Sequence, residues 1–252
     1  MIRFYMEKDY DAMSYRAASF IAAQVLAKPS SVLGLATGST PVGMYKELAQ
    51  KCADRKITFK DVTTVNLDEY YGLAPEHDQS YRYFMNKNFF DMIDIDKANT
   101  NVPNGLNPDP VAECARYDAL INSLGGIDLQ LLGIGRDGHI GFNEPGDAFI
   151  GNTNYVKLTE DTIDANARFF ASVDDVPRYA LTTGIRAIMQ AKKILMIVNG
   201  EAKAKVLEEA FFGPIKPEVP ASILQLHADV VVCGDAPAMK YIAEKHPEVL
   251  EK

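Results

Sequence analysis

The sequence predicts an α/β fold, a Rossmann-like open and mostly parallel sheet with helices on both faces. Two observations carry this prediction. Short apolar runs alternate along the chain with longer stretches whose apolar residues recur at helical spacing. The short runs are continuously apolar, which is typical of parallel strands that are buried on both faces.

Five apolar runs are the predicted strands, at residues 31–36, 62–67, 127–134, 193–198 and 229–233. Helices are predicted between and around them, over 8–27, from Pro41 to about 53, near 79–90, over 110–124, over 201–212 and after the last strand. Only the first of these helices is expected before the first strand. Because no repeat, low-complexity tract or linker interrupts the pattern, we expect residues 1–252 to form a single domain.

Composition and charge exclude several classes of binding partner. The net charge of −8 argues against nucleic acid or an anionic membrane as a general partner. A small anionic substrate remains open, since a local cluster of cations and N–H groups can bind phosphate. No apolar run approaches the ~18 residues of a membrane span, and the N-terminus lacks a signal peptide. Three separated cysteines, Cys52, Cys114 and Cys233, indicate reduced thiols and a cytoplasmic protein.

Ligands of such sheets bind beyond the carboxyl ends of the strands, so the loops there are of most interest. The first such loop is Thr-Gly-Ser-Thr at 37–40, followed by Pro41. Gly38 permits a tight turn, Thr40 is a candidate N-cap and Pro41 suits a first helical turn. Three hydroxyls are available here, on Thr37, Ser39 and Thr40. With the helix dipole they favour an anion, so the loop is either a phosphate cradle or an ordinary capped turn.

The second loop contains an acid pair. Asp68 and Glu69 follow the strand at 62–67. Acid pairs in loops are usually solvated, but adjacent residues at a strand end point in different directions. One carboxylate is therefore a candidate base for carbon-acid chemistry, while the other braces the loop.

The third loop, 133–146, places Asp137, His139 and Glu144 among five glycines. A carboxylate beside an imidazole sets its tautomer and holds its proton ready for transfer, so an acid/base site is expected. The run also spells GxGxxG, but the following HIGFNEPG is poor helix material, which argues against a dinucleotide cofactor. The three side chains could ligate a metal, yet no second His or Cys lies nearby in the sequence to support one.

Taken together, five motifs resemble the glucosamine-6-phosphate deaminase family, also called glucosamine-6-phosphate isomerase. They are LATGSTP, NLDEYYGL, GIGRDGHIGFNEP, ANARFF and the helix start in VNGEAKAKVLEEA. The resemblance covers essentially the whole chain. GIGRDGH is also similar to 6-phosphogluconolactonases, but there a Ser-Leu-Phe-Pro run follows where this chain has Phe142-Asn143-Glu144-Pro145.

The resemblance implies that D-glucosamine 6-phosphate and water become D-fructose 6-phosphate and ammonia, without a cofactor or metal. It implies that Asp68 moves the proton from C2 to C1, and that His139 opens the sugar ring while Asp137 and Glu144 hold it. The implied phosphate site consists of Thr37, Gly38, Ser39, Thr40, Arg168 and Lys203. A lid near 158–181 would carry Arg168. Ser39 stands where many members have glycine, and its hydroxyl can still face phosphate.

Two alternatives are a 6-phosphogluconolactonase-like hydrolase and a sugar-phosphate-sensing domain. The expected N-terminus leaves no room for a DNA-binding module, which argues against a sensor. The sequence is compatible with self-association. Some family members are activated by N-acetylglucosamine 6-phosphate through basic residues after the NEP run. Those positions here are Asn154 and Val156, and Asp147 adds a negative charge, so no such activation is expected.

Overall fold

A seven-stranded parallel sheet forms the centre of the protein in this computed structural model, which describes residues 1–251. Its strands are β1 (Ile2–Glu7), β2 (Val32–Leu35), β3 (Thr63–Asn66), β5 (Thr100–Asn101), β6 (Leu129–Leu132), β9 (Ile194–Val198) and β10 (Val230–Asp235). They lie in the order β1-β10-β9-β6-β2-β3-β5, and every pair within this sheet is parallel. The predicted fold class is confirmed.

Helices cover both faces of this sheet. They are α1 (Tyr10–Ala27), α2 (Val42–Ala53), α3 (Tyr81–Asn88), α4 (Pro110–Ser123), α5 (Glu160–Ala167), α6 (Ile185–Gln190), α7 (Ala204–Phe212) and α8 (Lys240–Lys245). Two adjacent residues of β2 show how the helices divide between the two faces of the sheet. Leu33 packs in a large core with residues of α1 and α2, while Val32 packs with residues of α4. Successive side chains of a strand point to opposite faces, so the continuous apolar run serves two layers.

A second, antiparallel sheet lies outside the main one. It has three strands in the order β4-β8-β7, namely β4 (Asp68–Tyr70), β7 (Asn154–Lys157) and β8 (Tyr179–Thr182). Its inner face has a small core of its own, in which Tyr70, Phe142 and Ile163 of α5 are buried. The small sheet therefore connects the acid pair after β3 to helix α5.

Five elements of the structure were not predicted from the sequence, namely β5, β7, β8, α5 and α6. Three further details differ from the expectations. An edge strand, β1, precedes α1, because IRFYME pairs along its length with β10 although charged and apolar residues are mixed in it. Asp68 begins a further strand, β4, whereas it was expected in a loop after the strand at 62–67. Thr40 is not the N-cap of α2, since Pro41 holds that position and Thr40 Oγ1 instead donates to Asn199 Oδ1 at 2.7 Å. Over residues 1–251 no helix combines the length and apolarity needed to span a membrane.

Candidate active site

The candidate site is a cleft of about 230 Å³ at the carboxyl ends of the central strands. From β2 the chain proceeds outward through β3 to β5, and from β6 it proceeds in the opposite direction through β9 to β10. The strand order thus reverses between β2 and β6, which is where open α/β sheets leave a crevice for ligands. The cleft is lined by the loops after β2 and β6, by Asp68 of β4, and by residues of α5 and its C-terminal end.

The loop after β6 holds His139 in a tight turn. Gly138 has φ +93°, a left-handed conformation that glycine adopts without strain. A Cβ on Gly135 would lie 2.3 Å from the imidazole ring, so only glycine leaves room for the ring there. The backbone N–H of Gly135 donates to the carbonyl oxygen of His139 at 2.9 Å and closes the turn.

Two carboxylates face the same imidazole nitrogen. Nδ1 of His139 lies 2.8 Å from Oδ1 of Asp137 and 3.4 Å from Oε2 of Glu144. Burial by itself would lower the pKa of His139, but the two carboxylates outweigh it and raise the pKa to about 9. The imidazolium in turn lowers the pKa of Asp137 to about 2 against the effect of burial. The two carboxylates therefore favour the protonated form of His139 at neutral pH.

Asp68 and Glu69 are adjacent in sequence but have different surroundings. Glu69 accepts backbone N–H groups of Tyr70 and Tyr81 at 2.8 Å and of Arg82 at 2.9 Å, so it braces the start of α3. Asp68 borders the cleft and is 6% exposed. Its carboxylate accepts no hydrogen bond from the described residues that would stabilise the ionised form. Burial, together with the charge of Glu69, raises the pKa of Asp68 to about 7 against the opposing effect of His139. A carboxylate left free in this way can accept a proton.

Cations gather at the other end of the cleft. Lys203, Arg136 and Arg168 all line it, beside the Thr37–Thr40 loop. Burial, followed by the charges of Arg136 and Arg168, lowers the pKa of Lys203 to about 8 against the opposing effect of nearby Asp137 and Asp161. Such crowding of like charges is relieved when an anion binds among them.

The loop after β2 has the shape of an anion cradle. Gly38 has φ +96°, and a Cβ there would meet open space. The loop is clamped from outside by Tyr10 of α1, whose hydroxyl oxygen accepts the backbone N–H of Gly43 at 2.8 Å and lies 3.1 Å from the carbonyl oxygen of Thr40. The Thr40 hydroxyl is engaged with Asn199, so hydroxyls of Thr37 and Ser39 remain free to face the cleft.

All ten residues expected at the site meet around this cleft. Eight line it directly, namely Thr37, Gly38, Ser39, Thr40, Asp68, His139, Arg168 and Lys203. Asp137 and Glu144 contact His139. Two further residues of the cleft were not expected from the sequence: Arg136, which lies inside the GIGRDGH run, and Tyr81, which lines the cleft near Asp68.

Metal binding has one candidate location among residues 1–251. The ligand atoms of Asp137, His139 and Glu144 lie within 4.8 Å of one another. Nδ1 of His139 already contacts both carboxylates directly, so the imidazole itself occupies the position between them.

Comparison with known proteins now places the chain. The family model described as glucosamine-6-phosphate isomerases/6-phosphogluconolactonase matches residues 8–233. The chain belongs to this family. A glucosamine-6-phosphate deaminase of Lachnoclostridium phytofermentans is 58% identical over 88% of this chain and 94% of its own length, and one of Clostridium perfringens is 54% identical over 96% and 100%.

Solved structures of the family agree with this. A monomeric glucosamine-6-phosphate deaminase superposes with a TM-score of 0.92 at 45% identity, covering 94% of this chain and 99% of its own. A 6-phosphogluconolactonase of Thermotoga maritima superposes with a TM-score of 0.74 at 21% identity, covering 93% and 99%. The second likeness shows the fold that the two branches of the family share.

The cationic end of the cleft generates the first prediction. Arg168→Ala and Lys203→Ala should each raise the KM for a sugar phosphate roughly 10- to 100-fold and change kcat less, since a hydrogen bond to a charged group contributes about 1.5–3 kcal/mol. Steady-state kinetics measures both constants. The matched controls are Arg178→Ala and Lys205→Ala, which remove neighbouring cations that do not line the cleft. An unchanged KM in either test variant would remove that residue from the phosphate site.

Proposed function

We propose that this protein is a glucosamine-6-phosphate deaminase, which converts D-glucosamine 6-phosphate and water to D-fructose 6-phosphate and ammonia. One observation carries the proposal: an unrestrained carboxylate, Asp68, shares a cleft with the held imidazolium of His139 and with a cluster of cations. The curated relatives at 50–58% identity bear the same activity in their names and support it.

Ring opening is the proposed role of His139. Nδ1 faces Asp137 and Glu144, so Nε2 is the nitrogen available to the substrate. The imidazolium donates its Nε2 proton to the ring oxygen, the bond between C1 and the ring oxygen breaks, and the C1 hydroxyl passes its proton to water, which yields the open aldehyde. The two carboxylates stabilise the charged form that this step requires.

Isomerisation is the proposed role of Asp68. The aldehyde acidifies the hydrogen on C2, and the Asp68 carboxylate removes it. The oxygen on C1 takes up a proton from water, and the C2 proton is returned to C1 while the nitrogen gives a proton back to water. This leaves an imine at C2, to which water adds before ammonia leaves. These steps transfer protons and water only, so the reaction requires no hydride or electron carrier. Burial favours this role, because a carboxylate with pKa about 7 is a stronger base than a solvated one.

The phosphate of the substrate is the proposed ligand of the cationic end. The N–H groups of the Thr37–Thr40 loop and the hydroxyls of Thr37 and Ser39 would bind it, together with Arg168, Lys203 and the newly found Arg136. Holding the phosphate here places C1 and C2 toward Asp68 and His139. We further propose that residues 158–181, which include α5, act as a lid on a single catalytic domain, since Asp161, Asn166 and Arg168 border the cleft from that side.

We further propose that the protein is cytoplasmic and does not bind nucleic acid. All three cysteines are free thiols, and the net charge is −8.

The decisive experiment incubates the purified protein with glucosamine 6-phosphate and measures ammonia and fructose 6-phosphate. Equal amounts of the two products are expected, and phosphate-free glucosamine should be a very poor substrate. Hydrolysis of 6-phosphogluconolactone without ammonia release would contradict the proposal in favour of the other branch of the family.

Asp68→Asn should abolish turnover while substrate still binds. The change keeps the size of the side chain but removes the base, and loss of a general base costs about 10²–10⁴-fold in rate. Exchange of tritium from solvent into the sugar carbons should stop as well. A variant that keeps near-parental kcat would show that another group removes the proton.

The pH profile of kcat/KM should be bell-shaped. Asp68 must be ionised to accept a proton, so activity should rise as pH increases through about 7. His139 must be protonated to donate one, so activity should fall as pH increases through about 9. Asp137→Asn removes one of the carboxylates that raise the pKa of His139. It should therefore move the basic limb to lower pH, whereas a limb due to the substrate amine would not move.

Kinetics should be hyperbolic, with no activation by N-acetylglucosamine 6-phosphate. The two positions where an activated relative would have cations carry no charge here. Asn154 donates to the Asn152 carbonyl oxygen at 3.2 Å, and Val156 packs against the small core. A phosphate there would lack the donors that offset its desolvation. The solved relative described as monomeric is consistent with this. A sigmoidal substrate curve that the N-acetyl compound makes hyperbolic would falsify the claim.

A further inference from the structure

Helix α5 contacts the acid/base group through one buried hydroxyl. Thr162 is 2% exposed, and its Oγ1 donates to Oε1 of Glu144 at 2.6 Å. The same Glu144 presents its other oxygen, Oε2, to Nδ1 of His139 at 3.4 Å. A residue without any expected role thus lies one side chain away from the proposed proton donor.

The hydrogen bonds around Thr162 have a fixed direction. An ionised carboxylate only accepts, so the Thr162 hydroxyl must donate to Glu144. Its oxygen then accepts from the hydroxyl of Thr159, the N-cap of α5, at 3.2 Å. The hydroxyl hydrogen is committed to Glu144, and the side chain cannot turn away without leaving a buried carboxylate oxygen short of a donor.

The bond at Oε1 fixes the orientation of Oε2. A carboxylate is planar, so a hydrogen bond to one of its oxygens restricts rotation about the Cγ–Cδ bond and thereby fixes the position of the other oxygen. Oε2 of Glu144 makes no hydrogen bond to the described residues, so its contact within the acid/base group is the 3.4 Å ion pair with Nδ1 of His139. Thr162 is therefore the contact that keeps this oxygen directed at His139.

A second contact between helix and loop is weaker. Arg136 lies 3.3 Å from Asp161, the residue before Thr162, but both side chains are about half exposed. Exposed ion pairs contribute little because water and salt screen them. The buried bond of Thr162 is the one able to transmit the position of α5.

We propose that Thr162 is a positioning residue that couples the seating of α5 over the cleft to the alignment of Glu144 with His139. The inference rests on the proposed function of these residues. Arg168, at the C-terminal end of the same helix, is six residues from Thr162, or about 9 Å along the axis. Phosphate bound at Arg168 would draw α5 into place, and Thr162 would then hold the proton donor in line. In this way the binding energy of the phosphate, which does not itself react, helps to align the proton donor for the chemical step.

The first test uses Thr162→Val, which keeps the shape and removes the donor, and Thr162→Ser, which keeps the hydroxyl. Valine should lower kcat about 10-fold, the effect of losing one hydrogen bond to a charged group, and serine should restore it. Thr64→Val is the matched control, because Thr64 is also fully buried but its hydroxyl has no partner within residues 1–251. It should leave kcat unchanged.

A double-mutant cycle separates positioning from packing. If Thr162 acts through Glu144, the valine change should cost almost nothing in a Glu144→Gln background, where the carboxylate is already absent. Equal losses in both backgrounds would overturn the proposal, since a packing defect does not depend on Glu144.

A measurement that does not depend on turnover can test the role of Thr162 independently of the proposed function. Nitrogen-detected NMR titration of the His139 imidazole reports its pKa directly in the free protein. The charged groups that face this ring are Asp137 and Glu144 of its own loop and Asp68 of β4. Thr162→Val should lower the pKa by about half a unit or more as Glu144 turns away, and Thr162→Ser should not. An unchanged pKa in the valine variant overturns the inference, whereas a parent that releases no ammonia overturns only the proposed function.

Discussion

The reversal of strand order between β2 and β6 is the constraint on which the site depends. Chain segments that leave these two neighbouring strands must diverge to opposite halves of the sheet, and the crevice between them is open to ligands. The loop after β2 presents N–H groups at one side of this crevice, and the loop after β6 presents His139 at the other. The small antiparallel sheet adds the third component, because β4 continues directly from β3 and places Asp68 against the same opening.

Two sets of charged groups line this crevice. Lys203, Arg136 and Arg168 are cations, although the protein as a whole is acidic, and Asp68 and His139 belong to the acid/base group. Each set is unfavourable in a different way, because burial and neighbouring cations lower the pKa of Lys203, while burial raises the pKa of Asp68. In the proposed function, a phosphorylated substrate relieves the first cost, and proton transfer makes use of the second.

Asp68 and Glu69 show how neighbouring carboxylates acquire different tasks. Both are buried and both have a pKa near 7, so neither burial nor pKa distinguishes them. The difference lies in their partners. Three backbone N–H groups at the start of α3 occupy Glu69, which makes it part of the scaffold, whereas Asp68 is left with the cleft.

The sequence by itself determined the parallel sheet, most of its helices and eight of the ten residues at the cleft, while Arg168 and Lys203 were implied only by the family resemblance. Continuous apolar runs and glycine-rich loops are local signals, and short-range sterics and burial decide what they form. Tertiary structure alone decided the rest. β1 mixes apolar and charged residues, and it forms a strand because it pairs in parallel with the edge of β10. β4, β7 and β8 form a sheet because they pair with one another although they lie far apart in the sequence. The role of Thr162 depends on a distance between α5 and the loop after β6, and no local pattern encodes a contact between residues 18 positions apart across two different elements.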